Sequence, residues 1–83
     1  MYNDAMKRAV HSLAGHSPKG FYLDIVDEDH FLVVRAKESV FMSLPDVETK
    51  TRAVDYMIKI KKALEDCGAI VMLTREGGKD ERT

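Results

Sequence analysis

Apolar residues near the start of the chain repeat at the spacing of a helix. Met6, Val10 and Leu13 lie four and three residues apart, which places them on one helical face. The pattern predicts a first helix at about Asp4–Ala14, with this face turned towards the rest of the domain.

The following segment changes to the alternating period of β-strands. The predicted strands are Phe21–Val26, Phe31–Ala36 and Val40–Leu44. In the first strand, one side carries Phe21, Leu23 and Ile25, and the other carries Tyr22, Asp24 and Val26. The polar segment Asp27–His30 has the length of a hairpin connection, so the first two strands are expected to pair.

A long helix is predicted from Pro45 to about Asp66 or Cys67. Proline suits the first turn of a helix, and Gly68 suits its end. The next segment, Ala69–Thr74, is apolar on both faces, which is typical of a strand that is central or covered on both sides. Because it follows a long crossover helix, we expect it to pair parallel to an earlier strand.

These elements follow one another in the order α-β-β-β-α-β. We expect an α+β fold in which a four-stranded mixed sheet carries two helices packed on one face. Residues 1–75 are expected to form a single small domain. Residues 76–83 combine glycine and charge without an apolar anchor, so we expect a disordered charged tail there.

The composition fits one small domain and excludes two functional classes. The 83 residues include 13 Lys and Arg and 14 Asp and Glu, for a net charge of -1. This balance excludes a strongly basic nucleic-acid binder and a strongly acidic mimic.

The longest apolar run, Ala69–Leu73, is too short to span a membrane. The single cysteine, Cys67, cannot form an internal disulfide, so a reducing cytoplasm is the expected location.

Few residues form a recognisable chemical pattern. The acidic turn Asp27–His30 lacks the glycine and the distal glutamate of an EF-hand, so a solvated hairpin turn is the favoured interpretation. Cys67 stands at a helix C-terminus, where the helix dipole disfavours a thiolate, and a small buried residue is expected. His11, His16 and Ser17 have no carboxylate placed nearby in sequence for a relay. We therefore expect no catalytic, metal or cofactor site.

The long helix carries more apolar surface than one contact requires. Its apolar side chains cover an arc of about 220°, whereas a helix that lies on one sheet needs about 100–140°. Two explanations are open: the first helix packs alongside and covers the excess, or a second subunit or a partner protein covers it. The sheet adds another surface, because two helices on one face would leave apolar residues bare on the other.

The sequence thus favours a small non-catalytic protein-interaction or regulatory accessory module that self-associates. The expected partner is a second copy in a homodimer, or a larger protein, and not a membrane. The candidate contact residues are Tyr22, Val26, Val34, Met57, Ile60 and Met72.

The alternative function is nucleic-acid binding along the basic side of the long helix. The residues that would contact phosphate are Lys50, Arg52, Lys59 and Lys62. The predicted order α-β-β-β-α also occurs in double-stranded-RNA-binding domains. However, the tight lysine cluster that begins their long helix has no counterpart in residues 48–53, so the chain is not assigned to that family.

Overall fold

One mixed sheet of three strands, with helices packed on one side, makes up residues 1–76, the part of the chain that the computed structural model describes. The helices are α1 (Asp4–Ser12), α2 (Glu38–Met42) and α3 (Val47–Asp66), with a 3-10 turn at Ala14–His16. The strands are β1 (Asp24–Asp27), β2 (Leu32–Lys37) and β3 (Val71–Glu76).

The predicted α+β class is confirmed, whereas the sheet has three strands instead of four. Each strand begins one to three residues later than predicted, and the first helix ends two residues earlier. Of the predicted charged tail, residues 77–83 lie outside the described residues.

β1 and β2 form the expected antiparallel hairpin. The register pairs Asp24 with Arg35 and Asp27 with Leu32. Within the turn, the Asp27 carboxylate accepts a hydrogen bond from the Asp29 N–H at 2.9 Å, and Asp29 has a φ of 78°. An aspartate that bonds the backbone two residues on is a common way to close such a turn, and Asp tolerates the left-handed conformation.

β2 is the central strand, because β3 pairs in parallel with its other side, with Leu32 in register with Val71. The parallel pairing expected after the long crossover helix is therefore confirmed. β3 itself lies at the edge of the sheet, although its apolar sequence predicted a strand that is central or covered on both sides. One side of an apolar strand is thus left without a neighbouring strand in residues 1–76.

The predicted strand at Val40–Leu44 is wrong, since this segment forms α2 and its C-terminal cap. The alternating pattern groups Met42 with Leu44 on one face. The helix instead buries Phe41 with Leu44 and leaves Met42 57% exposed. The Phe41 ring lies 6.5 Å from that of Phe21 in an edge-to-face arrangement. Phe41 lies on α2 and Leu44 in the turn that follows it, where the Leu44 N–H donates to the Phe41 carbonyl at 3.2 Å, and both side chains are buried.

The ends of α3 are set by one hydrogen bond and one glycine. Asp46 accepts the Thr49 N–H at 2.8 Å, so the helix begins at Val47, two residues after the predicted Pro45. Hydrogen bonds from Thr49 also hold the pKa of the Asp46 carboxyl below its ordinary value. At the other end, Gly68 adopts a φ of 99°, and the helix stops there as predicted.

The hydrophobic core lies between the sheet and the helices. β2 contributes Leu32, Val34 and Ala36, which are fully buried. α3 contributes Ala53, Tyr56, Met57, Ile60 and Leu64. From α1, Met6 is buried, and Val10 and Leu13 pack half-buried against the same core, as the sequence pattern predicted.

Candidate functional site

The sheet has an outer face against which no helix packs within residues 1–76. Val34 points into the core, so strand alternation turns Val33 to the opposite side. The strand register places Val26 and Met72 beside Val33 on that side. We call this surface the outer face, and its apolar residues are Tyr22, Val26, Phe31, Val33, Ile70 and Met72.

Several outer-face side chains are strongly exposed. Ile70 is 68% exposed, Met72 is 54% exposed and Tyr22 is 53% exposed. A polar pair lies on the same face, where the Arg35 guanidinium is 3.9 Å from the Asp24 carboxylate. An apolar patch bordered by polar residues is typical of a protein–protein contact surface.

Three of the six predicted contact residues lie on this face, namely Tyr22, Val26 and Met72. The other three, Val34, Met57 and Ile60, are at most 7% exposed in the core. The sequence could not distinguish the core residues from the surface residues in this set. Val33 and Val34 fit the two faces of β2 equally well, and the apolar side chains of α3 form one continuous arc. Val34, Met57 and Ile60 are therefore core residues of the folded chain.

α3 carries a second uncovered apolar surface. Val47 is 78% exposed, Ile58 is 51% exposed and Val54 is 42% exposed. At 100° per residue, these three residues fall within about 40° of one another and about 130° from the centre of the buried face. We call Val47, Val54 and Ile58 the α3 stripe.

The α3 stripe lies on the flank of α3 that faces away from α1. The opposite flank, which carries Arg52 and Lys59, lines a cavity together with Gly15 and His16, just after α1. The chain before α1 is attached to β1, since the Asp27 carboxylate accepts the Tyr2 N–H at 3.0 Å. α1 packs on α3 from one flank, and α3 itself packs on β2 and β3. With the chain before α1 tied to β1, we infer that the α3 stripe faces the β3 side of the sheet.

Of the two explanations that the sequence left open for the broad apolar arc, the structure bears on the first, since α1 packs alongside α3. α1 covers one flank of α3 through Met6, Val10 and Leu13. α1 is nine residues long and α3 is twenty residues long, and α1 covers no part of the other flank. The excess apolar surface that remains is the α3 stripe.

Among the residues 1–76, the edge of β3 has backbone groups without a partner strand, and this edge lies beside the α3 stripe. The Leu32 N–H donates to the Ile70 carbonyl at 2.8 Å, and Leu32 is in register with Val71. In a parallel ladder with this register, Val71, Leu73 and Arg75 turn their own N–H and C=O groups away from β2. The Leu73 side chain, on the helix side of the sheet, is 38% exposed.

The four predicted nucleic-acid residues do not form one basic surface. The Lys50 ammonium donates to the Leu44 carbonyl at 2.9 Å, on the flank opposite Arg52 and Lys59. The exposed polar side of α3 interleaves three basic and three acidic residues: Arg52, Lys59, Lys62, Glu48, Asp55 and Asp66. Such alternation gives a solvated helix face with little net charge, which is a weak phosphate-binding surface.

A polar cavity of about 230 Å³ lies between the 3-10 turn and α3. Its lining residues are Gly15, His16, Arg52, Asp55, Tyr56 and Lys59. Burial raises the pKa of the Tyr56 hydroxyl, which keeps it neutral across the physiological range. The cavity brings Arg52 and Lys59 together with a histidine, and it also places Asp55 between them.

The acidic hairpin turn has a structural role. The Asp27 carboxylate accepts hydrogen bonds from the Tyr2 and Asp29 N–H groups and forms an ion pair with the terminal ammonium of Met1 at 3.0 Å. These bonds lower the pKa of Asp27 to about 2. The turn thus anchors the N-terminal segment to the sheet.

The remaining chemical candidates are dispersed. Cys67 is an exposed free thiol, so the expectation of a buried cysteine is wrong. Residues 1–76 contain no group of three or more His, Cys, Asp or Glu side chains that could hold a metal ion. Over the same residues, no helix is long and apolar enough to cross a membrane.

Comparison with protein-family models, with the curated proteins and with the solved structures found no match to this chain.

Sequence reasoning missed several surface residues that the structure brings together. Phe31, Val33 and Ile70 join the outer face, and Leu73 lies at the β3 edge. The arc of α3 already included Val54 and Ile58, but nothing in the helical pattern showed which flank α1 would cover. The strand register was the missing information, because a shift of one residue exchanges the two faces of a strand.

Proposed function

We propose that the chain is a small, non-catalytic protein-interaction module that self-associates, and that it works in the cytoplasm. The observation that carries the protein-interaction function is the apolar outer face, on which Ile70, Met72 and Tyr22 are more than half exposed. Exposed apolar side chains bordered by polar residues are typical of surfaces that contact another protein. Burial of this area against another protein surface would be favourable at roughly 25 cal/mol per Å².

The α3 stripe and the β3 edge support self-association. Apolar surface is left uncovered on two sides of a thin domain of 33 × 33 × 15 Å, which has only one layer of helices and one sheet. An open, apolar edge strand is a hazard in a monomer unless another chain pairs with it. A second copy is the simplest partner, because it is present wherever the protein is made.

The experiment that tests this function is the native mass over a wide concentration range, by light scattering and sedimentation equilibrium. We expect a mass above that of one chain, with a monomer–oligomer equilibrium in the micromolar range. A particle of single-chain mass at high micromolar concentration would contradict self-association.

Nucleic-acid binding is the second candidate, and the cavity between the 3-10 turn and α3 is the observation in its favour. Arg52, Lys59 and His16 line it and could contact a phosphate group. Fluorescence anisotropy with a labelled duplex and a labelled single strand at low salt tests this candidate. Binding that weakens steeply with salt, and that Arg52→Ala reduces, would support it; no change at micromolar protein would remove it.

A further inference from the structure

We propose that self-association pairs β3 with β3 of a second copy, antiparallel about a two-fold axis through Leu73, with the two α3 helices packed side by side. The inference rests on the proposed function and specifies its interface. It assigns the second copy to the β3 edge, and not to the outer face.

The backbone groups at the β3 edge are self-complementary. Val71, Leu73 and Arg75 present their N–H and C=O groups outwards, with Leu73 at the centre of the three. In an antiparallel pair centred on Leu73, that residue exchanges both hydrogen bonds with its own counterpart. Val71 exchanges both bonds with Arg75 of the partner subunit, and Arg75 does so with Val71 of the partner subunit. Every outward-facing group of the three residues then has a partner.

The positions of the two α3 helices are compatible with the same two-fold axis. α3 packs on β2 and β3, so its axis lies roughly above the space between these two strands. After the two β3 strands pair, the same space in the second copy lies two strand spacings away, or about 9.6 Å. Packed helices have interaxial distances of about 8–10 Å, so this spacing would bring the two α3 helices into contact.

The residues at this contact are apolar both in the helix layer and in the sheet below it. The α3 stripe faces the open edge, so Val54 and Ile58 would meet their counterparts across the two-fold axis. Below them, Leu73 lies on the helix side of the sheet and would pack against Leu73 of the partner subunit. The stripe ends at the ion pair between Lys61 and Glu65, which supplies a polar rim.

The area of the side wall of the domain also supports an interface at the β3 edge. The side wall of the domain is 33 Å long and 15 Å thick, so joining two copies along it covers about 1,000 Å² in projection, close to the lower limit for a specific interface. Edge pairing also aligns the two outer faces into one six-stranded surface.

The test compares exposed positions with matched side-chain exposure. Ile58 is 51% exposed on the α3 stripe, and Tyr22 is 53% exposed on the outer face, far from β3. We expect Ile58→Glu and Leu73→Lys to weaken the dimer by about tenfold or more in sedimentation equilibrium. Tyr22→Glu should change the dissociation constant by less than about threefold, and circular dichroism should show that all three variants are folded.

A crosslinking experiment locates the two-fold axis directly. Hydrogen-bonded antiparallel pairs have Cα atoms about 5.5 Å apart, which suits a disulfide. In a Cys67→Ser background, Leu73→Cys should form a covalent dimer under mild oxidation at concentrations where the parent chain associates. Tyr22→Cys in the same background should not.

The outcomes separate the interface from the function. If the unmodified chain is a monomer at high micromolar concentration, both proposals are overturned. If it associates but Leu73→Cys gives no covalent dimer, or Ile58→Glu and Leu73→Lys leave the mass unchanged, the β3 interface is wrong and the proposed function stands. Loss of association in Tyr22→Glu alone would assign the second copy to the outer face.

Discussion

At the residue scale, a few side chains decide how the segments of this chain are held together. Asp27 is the clearest case, because one carboxylate closes the hairpin turn and also binds the N-terminal segment before α1. An acidic residue in a polar turn looks like a purely solvated position in the sequence. The structure shows that its hydrogen bonds lower its pKa to about 2, and this makes the stability of the fold depend on pH.

The pH prediction follows from the direction of this shift. The pKa of Asp27 is about 2 in the folded chain, against an ordinary value of 3.8. Its ionised form therefore stabilises the fold above about pH 4, and this contribution is lost as the pH falls from about 4 to about 2. Urea unfolding across this range should show a steeper loss of stability in the unmodified chain than in Asp27→Asn. Parallel stability curves for the two proteins would contradict the assignment.

Two glycines provide a matched test of backbone conformation. Gly68 has a φ of 99°, whereas Gly15 is outside the left-handed region, and no heavy atom lies within 4 Å of a Cβ placed at either one. Gly68→Ala should therefore destabilise the fold by about 1 kcal/mol through backbone strain alone. Gly15→Ala should be neutral or stabilising by up to about 1 kcal/mol. Equal effects in thermal or urea unfolding would show that the φ of Gly68 is not what matters.

At the element scale, α2 shows how tertiary packing selects between two local patterns. Residues 40–44 satisfy the alternation of a strand and the spacing of a short helix. Burial of Phe41 against Phe21 selects the helix. Arg75 from β3 stacks over the Phe41 ring at 5.1 Å and approaches Glu38 at 3.1 Å, so α2 also holds the end of β3.

The helical assignment of α2 predicts opposite effects at neighbouring residues. Phe41 is buried, and Phe41→Ala should cost about 3–5 kcal/mol of the free energy of unfolding. Met42 is 57% exposed, and Met42→Ala should change it by less than about 0.5 kcal/mol. Chemical denaturation measures both values. A larger loss at Met42 than at Phe41 would mean that the segment is a strand with Met42 inside.

At the scale of the whole molecule, the domain is thin, and the β3 edge of the sheet is open within residues 1–76. One layer of helices covers one face of three strands, and the thickness between Cα atoms is 15 Å. The central β2 strand is enclosed by neighbours, whereas β3 has one neighbouring strand within residues 1–76. The uncovered apolar surface is therefore a consequence of the small number of layers and strands, and not of any single residue.

Hydrogen exchange at two adjacent amides of β3 can test whether the edge of this strand is open. The Thr74 N–H points towards β2, and the Leu73 N–H points away from it. At low concentration, the Leu73 amide should exchange fast and the Thr74 amide slowly. At concentrations where the chain associates, Leu73 should become protected while Thr74 stays slow. Fast exchange at Leu73 under both conditions would leave the β3 edge open in the oligomer.

Three elements follow from local sequence patterns that have only one structural solution. The helical repeat of Met6, Val10 and Leu13 specified α1. The apolar positions at helical spacing before Gly68 specified α3. The β1–β2 hairpin followed from the alternation of apolar and polar residues on either side of a polar turn. The excess of apolar surface was also visible from the sequence, because it depends only on how many apolar positions each element carries.

The location of that apolar surface depends on how the elements pack together. The strand order places β3 at the edge, and the register of β2 sends Val34 inwards and Val33 outwards. The side on which α1 packs leaves Val54 and Ile58 uncovered. These choices depend on contacts between residues far apart in the chain, and a local period of two or 3.6 residues carries no information about them.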